Sequence, residues 1–361
     1  MKKLALVAAV AAALPVLAHA DVTIYGTVAM GINSYDNAGL TTTRVDDYGS
    51  KIGFKGSEDL GNGLKSIWQI ESGYDADGSQ AGYTGTFASR TTWVGLQSGF
   101  GTVRLGRLWD MMVETESTDT FNGPHVDAHN LTYPVYENGI IPGFNLGGGV
   151  DAGSGIKNAV RYDAPSWNGV DVSVLYAAGE NNTTTTSSTD RYGFHVNYQN
   201  EPTKLFVGVA YEAQRNQAGS KTGAMSRIEG GYNGDKLTLA ATFNHDSLYA
   251  STTSSSTWNT LGANNSASHF SGNSWGLLAA YAIGPFTPKI EYSQRQDATV
   301  DGSKVSTNIK QIGLAVDYSL SKRTTVEAAY ARQKEGDALV ALNGDSSNTS
   351  HTVYFALIHK F

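Results

Sequence analysis

The last twelve residues, "SHTVYFALIHKF", alternate all the way to the final carboxylate. Val353, Phe355, Leu357, His359 and Phe361 fall on one side, and Thr352, Tyr354, Ala356, Ile358 and Lys360 on the other. Chain ends usually fray, so a strand that runs to the last residue needs a hydrogen-bonding neighbour on both flanks. The pattern asks for a sheet with no free edge.

Membrane or water is the next question. Residues 1–20, "MKKLALVAAVAAALPVLAHA", have the two lysines, apolar run and Ala-x-Ala ending of a secretory signal, so cleavage is expected after Ala20. Losing Lys2 and Lys3 takes the basic count from 26 to 24 against 33 acidic residues, a net charge of −9. That balance argues against nucleic acid as a partner. Cysteine is absent, so neither a disulfide framework nor thiol chemistry is available. Beyond residue 20 no apolar run approaches the ~20 residues of a spanning helix, which leaves a closed β-barrel as the only route through lipid.

Period-two segments recur along the chain. "FTPKIEYSQRQ" sets Phe286, Ile290 and Tyr292 against Thr287, Lys289, Glu291, Ser293 and Arg295. "KLTLAATFN" sets Leu237, Leu239, Ala241 and Phe243 against Lys236, Thr238, Ala240, Thr242 and Asn244, and "NIKQIGLAVDY" sets Ile312, Leu314, Val316 and Tyr318 against Gln311, Gly313, Ala315 and Asp317. A water-soluble sandwich shows the same alternation, so the connections have to decide. Sixteen strands are expected near 22–33, 48–57, 63–74, 88–97, 101–107, 157–163, 169–178, 190–199, 203–213, 225–233, 235–246, 272–281, 285–297, 306–317, 323–334 and 350–361. Short turns such as "EDLGNG", "PSWNG" and "IGP" alternate with long polar links, which is the layout of a transmembrane barrel. An even count lets the last strand close on the first, with "VYFALIHKF" beside "VTIYGTVAM". Tyr25, Tyr74, Tyr176, Tyr318, Phe355 and Phe361 are then candidates for interfacial aromatics.

The blocks "DVTIYGTV", "SKIGFKGSEDLGNGLKSIWQIESG", "SRTTWVGLQSGFGTVRLGR", "VRYDAPSWNGVDVSVLYA" and the terminal "YFALIHKF" resemble the trimeric general porins of Gram-negative outer membranes, in the branch common among beta-proteobacteria. The resemblance covers the chain from residue 21 to its end. It implies a 16-stranded antiparallel transmembrane β-barrel, a homotrimer surrounded by outer-membrane lipid and lipopolysaccharide, and a long third loop folded into the lumen. It also implies passive diffusion of ions and small hydrophilic solutes, with no cofactor and no enzymatic role.

The link from about 108 to 156 is the longest, and links of that length are usually functional. It carries Glu114, Glu116, Asp119, Asp127, Glu137 and Asp151, with no Lys or Arg before Lys157. Strand parity supplies an opposing basic wall. Lys51 and Lys55 lie opposite Ile52 and Phe54, Arg104 opposite Val103 and Leu105, and Lys157 and Arg161 opposite Val160 and Tyr162. Facing rows of unlike charge would set a transverse field across a narrow aqueous gap. By resemblance, Lys51 and Arg90 stand at two constriction-arginine positions, while Asp119, and next Asp127, match the eyelet carboxylates. The Pro-Glu-Phe-Gly tetrapeptide of relatives is missing. Arg90 shares its parity with Val94 and Leu96, which sends Trp93 towards lipid.

Other readings stay open at this point. One is a substrate-selective porin for organic anions or sugars. Another is a plugged structural barrel or adhesin. "GNSWG" at Gly272–Gly276 fits the nucleophile elbow of an outer-membrane esterase or phospholipase with Ser274, although no helix is expected to follow it. "HVDAH" spaces His125, Asp127 and His129 as metal ligands could be, with solvated loop residues the plainer reading, and "GGG" at Gly147–Gly149 lacks the Lys-Ser/Thr of a phosphate cradle.

Overall fold

In the computed structural model of the chain, described over residues 21–37, 39–78, 87–115, 155–179, 189–216, 221–249, 269–343 and 347–361, the alternating segments form one antiparallel sheet that closes on itself. Its staves are β1 (Asp21–Asn37), β2 (Leu40–Asp47, continuing as Lys51–Gly61), β3 (Leu64–Gly73), β4 (Thr92–Ser98), β5 (Gly101–Leu108), β6 (Ile156–Asp163), β7 (Val170–Ala177) and β8 (Thr189–Asn200). They continue as β9 (Leu205–Asn216), β10 (Lys221–Asn233), β11 (Leu237–Tyr249), β12 (His269–Tyr281), β13 (Phe286–Arg295, continuing as Ala298–Val300), β14 (Ser303–Val305, continuing as Ile309–Ser319), β15 (Thr324–Glu335) and β16 (Thr349–Lys360). Among the described residues two short helices, α1 (Met111–Glu114) and α2 (Asp337–Asn343), interrupt the sequence of strands. The barrel is 16-stranded, as the alternation and turn rhythm implied.

Closure uses a register shifted from the simplest expectation. β16 pairs with the second half of β1, from Thr27↔Lys360 to Asn37↔Ser350, so of "VTIYGTVAM" only Thr27 to Met30 register with the terminal strand, with Gly26 meeting Phe361 at its end. On the other flank of β1, Asp21 to Thr27 pair with Ser57 to Lys51 of β2. Stagger of this kind is what tilted strands need in order to close. The last residue is held at the seam. Phe361 N–H donates to Gly26 O and Gly26 N–H to Phe361 O, both at 3.1 Å, and the Phe361 ring lies so close over Gly26 that an added Cβ would sit 2.5 Å from it.

Local chemistry sets the turns. Asn62-Gly63, Asn168-Gly169 and Asp301-Gly302 all have positive φ at both residues, as a two-residue hairpin matched to strand twist requires. The third pair marks a hairpin, Ala298–Val300 with Ser303–Val305, that lies between two of the strands expected from sequence. In β2 the break at Tyr48–Ser50 is stabilised by Asp47, whose carboxylate accepts from the Gly49 and Ser50 amides at 2.8 and 2.9 Å.

The two faces are inverted relative to a soluble protein. Phe355 and Leu357 are 60% and 52% exposed, whereas Glu327 and Glu291 are fully buried. Apolar residues point outward and charged ones inward, which rules out the sandwich reading and fits a wall set in lipid. Tyr318, Tyr176 and Phe361 face outward as expected, but Tyr25 points inward over Gly53 and bonds Glu71, so it is not an interfacial aromatic.

Deleting Phe361 removes two seam hydrogen bonds, each worth roughly 0.5–1.5 kcal/mol net. Refolded protein lacking it should melt at lower temperature by heat-modifiability electrophoresis. An unchanged transition would mean that the seam does not depend on the last residue.

Candidate functional site

Inward-facing side chains from β1 to β6 build a basic surface around two carboxylates. Glu71 on β3 is buried and accepts from Arg90 Nε at 2.7 Å and from the Tyr25 hydroxyl at 3.0 Å, with Lys51 Nζ 4.0 Å away. Lys55 Nζ stands 5.3 Å from the Tyr25 ring centroid and the Arg90 guanidinium 5.3 Å from that of Trp109. Next to this cluster, Arg104 reaches Asp163 at 2.6 Å and Arg161 reaches the same carboxylate at 2.7 Å, with the Ser173 hydroxyl donating to it at 2.6 Å. Arg104 also lies 5.2 Å from the Trp93 ring centroid.

Lys51, Lys55, Arg90, Arg104 and Arg161 therefore share one stretch of inner wall. Two sequence expectations fail here, both where strand parity stops. Arg90 precedes β4, so alternation does not reach it; it folds onto Glu71 while Trp93 points inward beneath Arg104 and packs on interior apolar residues. Trp93 does not face lipid. In β6 a bulge lies opposite Arg107, with Asn158 at φ 55°, and the pairing skips from Gly106↔Ala159 to Leu108↔Ile156. The extra residue leaves Ile156 buried and Lys157 exposed, apart from Arg161.

Half a turn around the barrel, the inner wall is richer in carboxylates. Lys289 on β13 bridges Glu327 at 2.8 Å and Asp317 at 2.9 Å, and the Tyr354 hydroxyl donates to Glu327. Arg295 bonds Asp246 at 3.0 Å, and Glu229 and Glu291 are buried on the same inner side. These acids were not singled out from sequence, yet their signal was present: each sits at the polar parity of an alternating strand. They form an acidic surface on the wall itself, distinct from the one expected on the long loop.

The root of that loop is visible. After β5 the chain turns inward as α1, where Asp110 caps the Val113 amide at 2.8 Å and Glu212 of β9 accepts from the Met111 amide. Arg191 pairs with Glu212, and Arg227 Nη1 donates to Met112 O at 2.7 Å. Leu108, Met111 and Met112 pack among Ile156, Leu175, Ala210 and Met225. The first two residues of α1 are tied to strands about a hundred residues later, so this stretch has a fixed direction. Glu116, Asp119, Asp127 and the His125/His129 pair lie outside the described residues. Ser274 is buried within β12, where its hydroxyl accepts from Asn244 at 3.3 Å; it is on a strand continuing to Tyr281 and not on an elbow.

Comparison with known proteins gives a consistent result. The family described as Gram-negative porin matches residues 5–338. The major outer membrane protein P.IB of Neisseria gonorrhoeae is 33% identical over 390 residues, covering 100% of both chains. Among solved structures, an anion-selective porin from Comamonas acidovorans superimposes with a TM-score of 0.73 at 23% identity, covering 95% of this chain and 100% of that one. The Salmonella typhi OmpF complex with daunomycin gives 0.68 at 16%, covering 94% and 97%.

Replacing Glu71 with Gln removes the charge shared by Arg90 and Lys51. Any current through the barrel should then shift its reversal potential in a salt gradient towards anions. A shift towards cations would contradict the assignment of these groups to the conducting path.

Proposed function

Since this chain belongs to the Gram-negative porin family, an outer-membrane barrel family and not an enzyme fold, we propose that it forms a water-filled channel through which ions and small hydrophilic solutes diffuse passively. The observation that carries this reading is the inversion of faces, with charged groups lining the interior of a closed barrel whose outside is apolar. In this reading the signal segment 1–20 is removed, the protein works as a homotrimer in lipid and lipopolysaccharide, and the long third loop, about 108–156, folds into the lumen.

Selectivity follows from the wall charges. Lys51, Lys55, Arg90, Arg104 and Arg161 stand around Glu71 and Asp163, five cations to two carboxylates on this stretch of the described wall. Beside the carboxylate-rich far wall this produces a transverse field, and a modest anion preference is the proposed outcome. Lys157 is left out of the basic wall, while Glu116, Asp119 and Asp127 are retained as the loop's contribution. A second reading has its own observation: Lys55 on Tyr25, Arg90 on Trp109 and Arg104 on Trp93 form a track of cation and ring pairs suited to organic anions.

Single-channel recording in a planar bilayer tests both. Openings in threes with an anion-preferring reversal potential, moved towards cations by Lys51→Glu, are the expected result. Saturable block by an aromatic carboxylate such as benzoate would favour the selective track. Folded, heat-modifiable protein that passes no current would overturn the channel reading.

A further inference from the structure

The outer face of β13 to β16 can be followed row by row through the strand register. At the short-turn end lie Phe286, Tyr318, Val326 and Leu357, then Pro288, Val316, Ala328 and Phe355, then Ile290, Leu314, Tyr330 and Val353. The next row is Tyr292, Ile312, Arg332 and His351, and the one above is Gln294, Lys310, Lys334 and Thr349. Apolar character gives way to positive charge within two rows. From Tyr318 to Lys310 the strand climbs about 27 Å, or ~20 Å along the membrane normal at the usual tilt. That matches the upper edge of an apolar band roughly 25 Å tall. The patch therefore stands at the outer lipid interface on the long-loop side.

Its charges are arranged in a way a protein alone does not favour. Lys310 and Lys334 are direct cross-strand partners, exposed on the same face, where like charges repel. Arg332 is exposed one row below, and none of the three has a carboxylate within 4.0 Å among the described residues. His351 beside Arg332 is bonded to the Tyr330 hydroxyl at 2.8 Å, which orients its ring in the same row. Elsewhere on the rim the chain uses another arrangement, with Arg215 registered against Asp190.

We propose that Lys310, Arg332 and Lys334 bind the phosphate of a glycolipid headgroup in the outer leaflet, whose acyl chains lie along the apolar rows below. Ammonium and guanidinium groups are strong phosphate partners, and a shared anion turns the Lys310/Lys334 repulsion into attraction. Continuity of the patch with the lipid-facing wall favours a lipid over a soluble partner. The site is separate from the lumen, so it stands whether or not the channel proposal does.

The test adds bisphosphorylated lipid A, its dephosphorylated form, or inorganic phosphate to detergent-solubilised barrel and follows the denaturation temperature. Bisphosphorylated lipid A should raise it. In K310Q, R332Q and K334Q, singly and combined, half-saturation should weaken about fivefold per charge removed, with conductance unchanged. K322Q, in a short turn at the opposite rim, serves as the control and should behave as the parent. Equal protection by dephosphorylated lipid, equal protection by inorganic phosphate, or full retention in the triple variant would each overturn the proposal.

Discussion

Lipid supplies no hydrogen bonds, so every backbone amide and carbonyl of a spanning wall must be satisfied by another strand. The pairing of β16 with Thr27–Asn37 meets that demand at the one place where the sheet could have stayed open. Everything else depends on its register. A slip of one residue would turn Phe355 and Leu357 inward and Tyr354 outward, exchanging the two faces of the terminal strand. The seam thus fixes which side chains reach lipid and which reach water.

With the faces fixed, the interior can hold charges that an apolar core could not. Isolated ions at low dielectric are costly, and here Glu71, Asp163, Asp246 and Glu327 each have at least one cationic partner. Pairing is uneven around the barrel, however. Excess cations on β1 to β6 and excess carboxylates beyond β9 leave a field across the lumen that strand order alone creates. Glu212 and Arg227 then use the same inner wall to hold Met111 and Met112 at the start of α1, so the charges that line the interior also orient the root of the long loop.

Much of this was legible in the chain. The alternation in "FTPKIEYSQRQ" gave both faces of β13, and the turn residues gave sixteen staves with long links on one side. What escaped lies where period two breaks down. Arg90 precedes its strand, and the bulge at Asn158 shifts Lys157; Tyr25, by contrast, obeys the alternation, since Val22 and Ile24 face outward and Gly53 opposite leaves room for its ring. The ties from α1 to Glu212 and Arg227 join residues about a hundred positions apart, and no local pattern encodes such a contact. Asp110, a recognisable cap before Met111, was the one local clue to where the link turns.

The most direct measurement uses the absence of native cysteine. Single cysteines placed from Lys51 to Ser57 in protein reconstituted in vesicles would be challenged with a membrane-impermeant maleimide. The account predicts labelling at positions 51, 55 and 57 and protection at 52, 54 and 56, with position 53 left as glycine because the Tyr25 ring covers it. Labelling without alternation, or in the opposite phase, would contradict a closed barrel with lipid outside and a charged aqueous interior.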